Sequence, residues 1–154
     1  MKRDLELEVV YPHPPERVWR ALTDPRAIAE WLMPNDFEPK LGHRFQFRTQ
    51  PRPGFDGIVN CEVIEIQPLR RLSYTWVGGS LNTVVIFSLQ PESGGTRLRL
   101  EHRGFAGLRG LLVSGILGSG WKKKILGEGI PAVLARIDAH GFTPAASGSR
   151  RDCS

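Results

Sequence analysis

Five successive runs between residues 43 and 103 alternate apolar and polar side chains, and this alternation is the feature that most constrains the fold. A period of two places neighbouring side chains on opposite faces of a β-strand. Short turns rich in Gly and Pro separate the runs, which cover 43–49, 56–67, 72–77, 81–90 and 96–103. Because connections this short join antiparallel neighbours, the pattern predicts a series of hairpins.

A sixth alternating run and three helical segments flank these hairpins. Asp4–Tyr11 alternates, and Pro14–Leu22 then has its apolar residues at helical spacing. Asp24 and Pro25 give the start signal for a second short helix that Pro34 ends. Near the other end of the chain, Lys122–Ala139 carries one apolar stripe, which predicts a long helix lying on the sheet, kinked near Pro131 and capped by Gly141.

The strand register predicts which side chains face the interior. On the hairpin strands, the period assigns one half of each run to the core and the other half to the opposite face. The residues expected to face inward are Phe45, Phe47, Tyr74, Trp76, Val85, Phe87, Leu89, Leu98, Leu100 and His102.

Length and composition indicate one globular domain. The 154 residues are 40% hydrophobic and 24% charged, with 21 Lys and Arg against 16 Asp and Glu. We expect a domain over residues 1–142, a disordered tail over 143–154, and a cytoplasmic location because the first residues lack the apolar stretch of a signal peptide. Cys61 and Cys153 are expected to remain free thiols. Part of the positive charge is dispersed on alternating strand positions, so neither nucleic acid nor an integral membrane is expected as a partner.

The sequence contains no motif typical of catalysis, a metal site or a cofactor. Its four histidines lack the helical spacing of a zinc pair, so no metal is expected. Glu62, Glu65 and Glu101 are expected to point outward into solvent. His102 has two interpretations: an imidazole that orients a ligand, or a hydrogen-bonded core histidine. No catalytic residue is predicted.

Several segments resemble the activator-of-heat-shock-protein-ATPase homologue family of the START-like, or SRPBCC, superfamily. The resemblance covers residues 4–140 and rests on the order in which these segments follow one another. These segments are Tyr11–Pro25, Trp31, Gly42 before Phe45, Leu72–Trp76, Thr96–Phe105 and Gly120–Trp121. The resemblance implies an α+β helix-grip fold, in which a curved antiparallel sheet of about seven strands wraps around the C-terminal helix and encloses an apolar cavity.

Superfamily members mostly bind lipids, polyketides or aromatic molecules, so the leading prediction is non-catalytic binding of a small apolar ligand. A co-chaperone-like interaction module with a chaperone partner is one alternative, and an enzyme of the cyclase or hydrolase kind is another. Transient contact with a membrane surface is compatible with the leading prediction. The run Phe105–Leu117 is either a gate over the cavity or permanent core. The residues predicted to line the cavity are Trp31, Phe47, Tyr74, Trp76, Phe87, Leu100, His102 and Trp121.

Overall fold

The computed structural model of the chain describes residues 2–51, 53, 56–78, 81–106, 120–138 and 141–142. Six strands form one antiparallel sheet in the order β1-β6-β5-β4-β3-β2. The strands are β1 (Lys2–Tyr11), β2 (Arg44–Arg48), β3 (Ile58–Gln67), β4 (Arg71–Gly78), β5 (Leu81–Glu92) and β6 (Gly95–Ala106). Two short helices, α1 (Pro15–Thr23) and α2 (Pro25–Trp31), connect β1 to β2. The curved sheet and its helices confirm the predicted helix-grip α+β fold.

The start signals predicted for α1 and α2 have clear structural causes. Proline occupies the first turn of each helix, where its missing N–H would have no helical partner. The Asp24 side chain caps α2 by accepting a hydrogen bond from the backbone N–H of Arg26 at 2.9 Å. The indole N–H of Trp31, at the end of α2, donates to the carbonyl of Ala21 in α1 at 2.8 Å, which fixes the two helices together.

The C-terminal helix differs from the prediction. It begins at Gly120 with wide, π-type turns over Gly120–Gly129 (α3), and it continues as a short α-helix over Ile130–Leu134 (α4). A Cβ on Gly127 would lie 3.1 Å from the Lys122 carbonyl oxygen, so this glycine suits the wide winding. The glycines and Pro131 explain the irregularity, because both residue types disfavour a regular α-helix.

The predicted extension of that helix to Ala139 is wrong. The helix ends at Leu134, and Ile137–Asp138 (β7) pairs with Gly141–Phe142 (β8) as a two-stranded ribbon. Gly141 therefore lies in a strand and does not cap the helix. The proposed tail at 143–154 and most of the run 105–117 lie outside the described residues.

The core lies between the inner face of the sheet and the helices. The inward residues predicted from the alternation are buried, with Val85, Phe87, Leu98, Leu100 and His102 fully enclosed. They join α1, α2, α3 and α4 in a single hydrophobic cluster. None of the helices in the described part of the chain is long and apolar enough to cross a bilayer.

One buried hydrogen bond joins the first strand to the C-terminal helix. The hydroxyl of Tyr11, at the end of β1, donates to the carbonyl of Leu126 in α3 at 2.7 Å. Burial raises the pKa of Tyr11 well above its usual value, so the hydroxyl remains a donor across the physiological pH range. This bond connects segments 115 residues apart in the chain.

We expect Tyr11→Phe to lower the free energy of unfolding by about 1–2 kcal/mol, because it leaves a buried carbonyl without its donor. Urea denaturation followed by circular dichroism measures the change. The matched control is Tyr74→Phe, which removes a buried hydroxyl that makes no hydrogen bond to another described residue. That control should change the free energy by less than about 0.5 kcal/mol. Equal losses in the two variants would contradict a special role for the Tyr11 bond.

Candidate functional site

The eight residues predicted to line a cavity come from six different elements and meet on the inner side of the sheet. Each is buried, with an exposed fraction of 5% or less. They are Trp31 at the end of α2, Phe47 on β2, Tyr74 and Trp76 on β4, Phe87 on β5, Leu100 and His102 on β6, and Trp121 at the start of α3. We call this set the aromatic cluster. The cavity-lining role of its members remains a prediction.

Trp121 is the centre of the aromatic cluster. Its ring centroid lies 5.9 Å from that of Trp76, 6.1 Å from His102, 6.2 Å from Phe87 and 6.5 Å from Trp31. These separations fall in the range of favourable aromatic pairs. Trp121 thus joins the C-terminal helix to α2 and to three strands through one side chain.

Two phenylalanines that were not predicted as site residues extend the cluster toward β2. Phe45 and Phe37 lie with their ring centroids 5.2 Å and 6.3 Å from that of Tyr74. Phe45 was expected to face inward. Phe37 follows α2 in a connection without hydrophobic periodicity, so only a nearby turn-forming residue could have indicated that it is buried. Asn35, two residues earlier, accepts the Phe37 N–H at 3.0 Å, and Asn typically begins such turns.

A directed chain of hydrogen bonds runs through the cluster. The indole N–H of Trp121 donates to Nδ1 of His102 at 3.2 Å, and Nε2 of His102 lies 2.8 Å from the hydroxyl of Thr83. Thr83 in turn donates to the carbonyl of Trp76 at 2.9 Å. Since an indole N–H can only donate, Nδ1 must accept and the single ring proton must sit on Nε2. Each of these three hydrogen bonds therefore has an assigned donor and acceptor.

His102 is uncharged at neutral pH. Burial lowers its pKa from the usual 6.5 to about 4. Both ring nitrogens are engaged within the protein, which is the arrangement of a hydrogen-bonded core histidine. Thr83 was not predicted as a site residue, because its hydrogen-bond partner His102 lies 19 residues away in the sequence. A contact between His102 and a ligand stays a prediction.

The other titratable groups of this region are also neutral. Burial, with a smaller contribution from the Asp36 carboxylate, raises the pKa of the Cys61 thiol to about 12. Burial raises the pKa of Tyr74 well above its usual value. The interior therefore presents an uncharged, mostly aromatic surface with a few polar groups, which suits binding of a neutral molecule.

The three strand carboxylates lie on the outer face, as predicted, but one of them is not solvated. Glu101 is only 5% exposed and forms ion pairs with Arg99 and Arg103. Its expected contact with solvent is therefore wrong, because long arginine side chains cover the strand position. Glu65 pairs with Arg71 at 2.8 Å, and this hydrogen bond holds the pKa of Glu65 below its usual value. The carboxylate of Glu62 lies 3.6 Å from Nε of Arg44 on β2.

No group of three His, Cys, Asp or Glu side chains within the described ranges is arranged to hold a metal ion.

The neutral His102 makes stability depend on pH. Its folded pKa of about 4 lies below the unfolded value near 6.5. The unfolded chain therefore binds the proton more readily, so the contribution is complete above pH 6.5 and is lost as the pH falls toward 4. We expect the free energy of unfolding to fall by about 2 kcal/mol between pH 7 and pH 5 from this residue. Urea denaturation at both pH values measures it.

The matched variants for this prediction are His102→Gln and His43→Gln. His43 is a partly exposed histidine whose Nε2 meets the Asp36 carbonyl at 2.9 Å. The His102 variant should lose most of the difference between pH 7 and pH 5, whereas the His43 variant should keep it. If the His102 variant shows the same pH dependence as the parent protein, the assigned neutral state is incorrect.

The chain is similar to a known protein family and to several solved structures. The model of the family described as "Activator of Hsp90 ATPase homolog 1-like protein" matches residues 12–139. None of the curated proteins compared with the chain matches it. Protein MLL2253 from Mesorhizobium loti is similar in structure, with 39% sequence identity and a TM-score of 0.79, over 88% of this chain and 99% of that one.

Two further solved structures share the fold. CalU16 from Micromonospora echinospora is 27% identical, with a TM-score of 0.67 over 88% of this chain and 80% of that one. DynU16, from the dynemicin biosynthetic locus, is 23% identical with a TM-score of 0.70, and the match covers 86% of this chain and 47% of DynU16. From the match over residues 12–139 and the shared fold, the chain belongs to the family of Activator of Hsp90 ATPase homolog 1-like proteins, within the START-like, or SRPBCC, superfamily.

Proposed function

We propose that the protein binds a small apolar molecule, of lipid, polyketide or aromatic type, between the inner face of the sheet and the C-terminal helix. The observation that carries this proposal is the convergence of aromatic side chains from four elements on Trp121, around a small number of polar groups. Binding sites for small molecules have this composition: an apolar lining with a few convergent polar groups that set orientation.

Two polar groups in the cluster support a ligand that carries oxygen. Among the described residues, no hydrogen bond joins the Tyr74 hydroxyl or the Trp76 indole N–H to a partner, although both side chains are buried. The indole groups of Trp31 and Trp121 are both bonded. A carbonyl or ether oxygen of a ligand would accept a hydrogen bond from either donor.

The helix that carries Trp121 supports the same proposal. Turns of π type are frequent at functional sites, and Gly127 and Gly129 reduce the resistance of this helix to local rearrangement. In the structure, the rings of Trp31, Trp76 and Trp121 contact one another. A ligand would enter by moving Trp121 away from the sheet, which requires breaking its 3.2 Å bond to His102.

We propose binding without a chemical reaction. The titratable groups of the interior are neutral at pH 7, since burial lowers the pKa of His102 and raises those of Cys61 and Tyr74. General acid or base catalysis works best with a pKa near the working pH. These three groups hold their pKa values far from 7.

The neutral aromatic probes N-phenyl-1-naphthylamine and benzophenone test this function. Both should bind with micromolar affinity, measured by quenching of tryptophan fluorescence. Tyr74→Phe should weaken benzophenone, which has a carbonyl oxygen, by about three- to tenfold, because a hydrogen bond contributes about 0.5–1.5 kcal/mol. The same variant should leave N-phenyl-1-naphthylamine, which lacks oxygen, within about twofold.

The control variant is Tyr11→Phe, which removes a hydroxyl already bonded to Leu126. It should lower stability and leave the affinity for both probes unchanged under conditions where the protein is folded. Failure of both neutral probes to bind would contradict the proposed function. Equal loss of both probes in the Tyr74 variant would show that its hydroxyl does not contact the ligand.

A further inference from the structure

A cavity lies away from the aromatic cluster, at the end of the sheet where the β3–β4 turn, the β5–β6 hairpin and the start of α1 come together. It is a half-open groove with a volume of about 590 Å³. Volumes of 300–1,000 Å³ are typical of sites for small molecules. We call it the end groove. None of its lining residues belongs to the aromatic cluster.

Three arginines line the end groove, and ion pairs fix two of them. Arg97 lies between Glu8, at 3.0 Å, and Glu92, at 2.6 Å. Arg99 contacts Glu6 at 3.1 Å. Such pairs add little stability at a surface, but they restrict the orientation of a guanidinium group. The groove therefore has a wall of guanidinium groups, two of which neighbouring carboxylates hold in defined positions.

Several donors of this wall are still unused. Arg70 forms no ion pair with any carboxylate in the described part of the chain. The Nε–H of Arg99 also has no hydrogen-bond partner, but it is buried, so only the terminal nitrogens of this guanidinium are open to the groove. Ser88 lines the groove and pairs directly with Arg99 across the β5–β6 ladder. Guanidinium and hydroxyl donors are the groups that recognise phosphate and carboxylate oxygens.

The rest of the lining includes apolar groups. Leu89 forms part of it together with Pro15 and Pro91, and Leu69 stands at its edge with an exposed fraction of 36%. Leu69 has a φ of +67°, in the left-handed region that a branched apolar residue seldom adopts. Conformations of this kind cost free energy and cluster at binding sites. The strained turn places Leu69 beside Arg70 on the same groove.

We propose that the end groove binds a small amphipathic anion, a phosphate or carboxylate group attached to an apolar chain or ring. The anionic oxygens would meet Arg70 and the neighbouring donors of Arg99 and Ser88. The apolar part would lie against Leu69 and Leu89. This site is separate from the proposed internal one, which presents neutral groups and selects a neutral molecule.

The carboxylate of Glu16 affects a simple anion and a zwitterion in opposite ways. Its exposed carboxylate lines the groove and forms no ion pair with a described residue. A simple anion would be repelled by it, whereas a molecule that also carries a positive charge would be attracted. A simple anion is favoured because Arg70 forms no ion pair with a described residue and stands on the same groove as the Ser88 hydroxyl.

Octyl phosphate is the probe, with octanol and inorganic phosphate as its two halves. Titration calorimetry should show octyl phosphate binding at least tenfold more tightly than either half. The Arg70→Gln variant should weaken it by about tenfold, because charge-assisted hydrogen bonds are the strong ones. Arg48→Gln, which removes the same charge from β2, should change it by less than twofold. Glu16→Gln should strengthen binding by about two- to fivefold.

Nuclear magnetic resonance locates the bound probe. The backbone amides of Arg70 and Ser88 should shift on titration with octyl phosphate, and the affinity for N-phenyl-1-naphthylamine should not change in the Arg70 variant. Equal effects of Arg70→Gln and Arg48→Gln would overturn the proposal, as would equal affinities for octyl phosphate and inorganic phosphate. Weaker binding in the Glu16 variant would overturn the simple anion in favour of a zwitterion.

Discussion

The interior of this protein depends on one uncharged imidazole. His102 accepts a hydrogen bond from the indole of Trp121 at Nδ1 and donates its Nε2–H to the Thr83 hydroxyl, which itself donates to the carbonyl of Trp76. A second proton on the ring would place two N–H groups against each other at Nδ1 and would put a charge among aromatic rings. The neutral state is thus required both by the partners of the ring and by its burial. The position of the C-terminal helix on the sheet follows from this contact, since Trp121 is the first large residue of that helix.

The alternation of the sequence predicts the sheet well, because a strand leaves only two choices of face and a misplaced register would bury charges. The inward positions of Tyr74, Trp76 and His102 follow from that rule. The same rule does not predict partners across the core. The bond from Tyr11 to Leu126 spans 115 residues, and no local pattern carries that information. Sequence periodicity also places Glu101 on the outer face but cannot show that arginine side chains cover it.

The C-terminal helix marks the limit of the periodicity argument. Its apolar stripe predicts an amphipathic helix, which forms, but the stripe does not report the winding of the backbone or its end. The two glycines and Pro131 weaken a regular helix, and the residues after Leu134 then pair as a ribbon. The end groove also could not be predicted from the sequence, because its lining comes from five separate segments that share no motif.

Both faces of the same strands contribute to recognition, with opposite chemistry. On β5 and β6, Phe87 and Leu100 face the aromatic cluster, whereas their neighbours Ser88 and Arg99 face outward. Because adjacent residues of a strand point in opposite directions, the two proposed sites share a backbone but no side chain.

The buried Cys61 gives the sheet a chemical reporter of its own opening. With a pKa of about 12, only about one Cys61 in ten thousand is a thiolate at pH 8, and the thiolate is the reactive form. Its side chain lies on the inner face of β3 and pairs across the ladder with Phe45 of β2. Alkylating or oxidising reagents should therefore reach it only when β2 and β3 separate from the helices. The rate of its modification would then measure how often the edge of the sheet opens in the native protein.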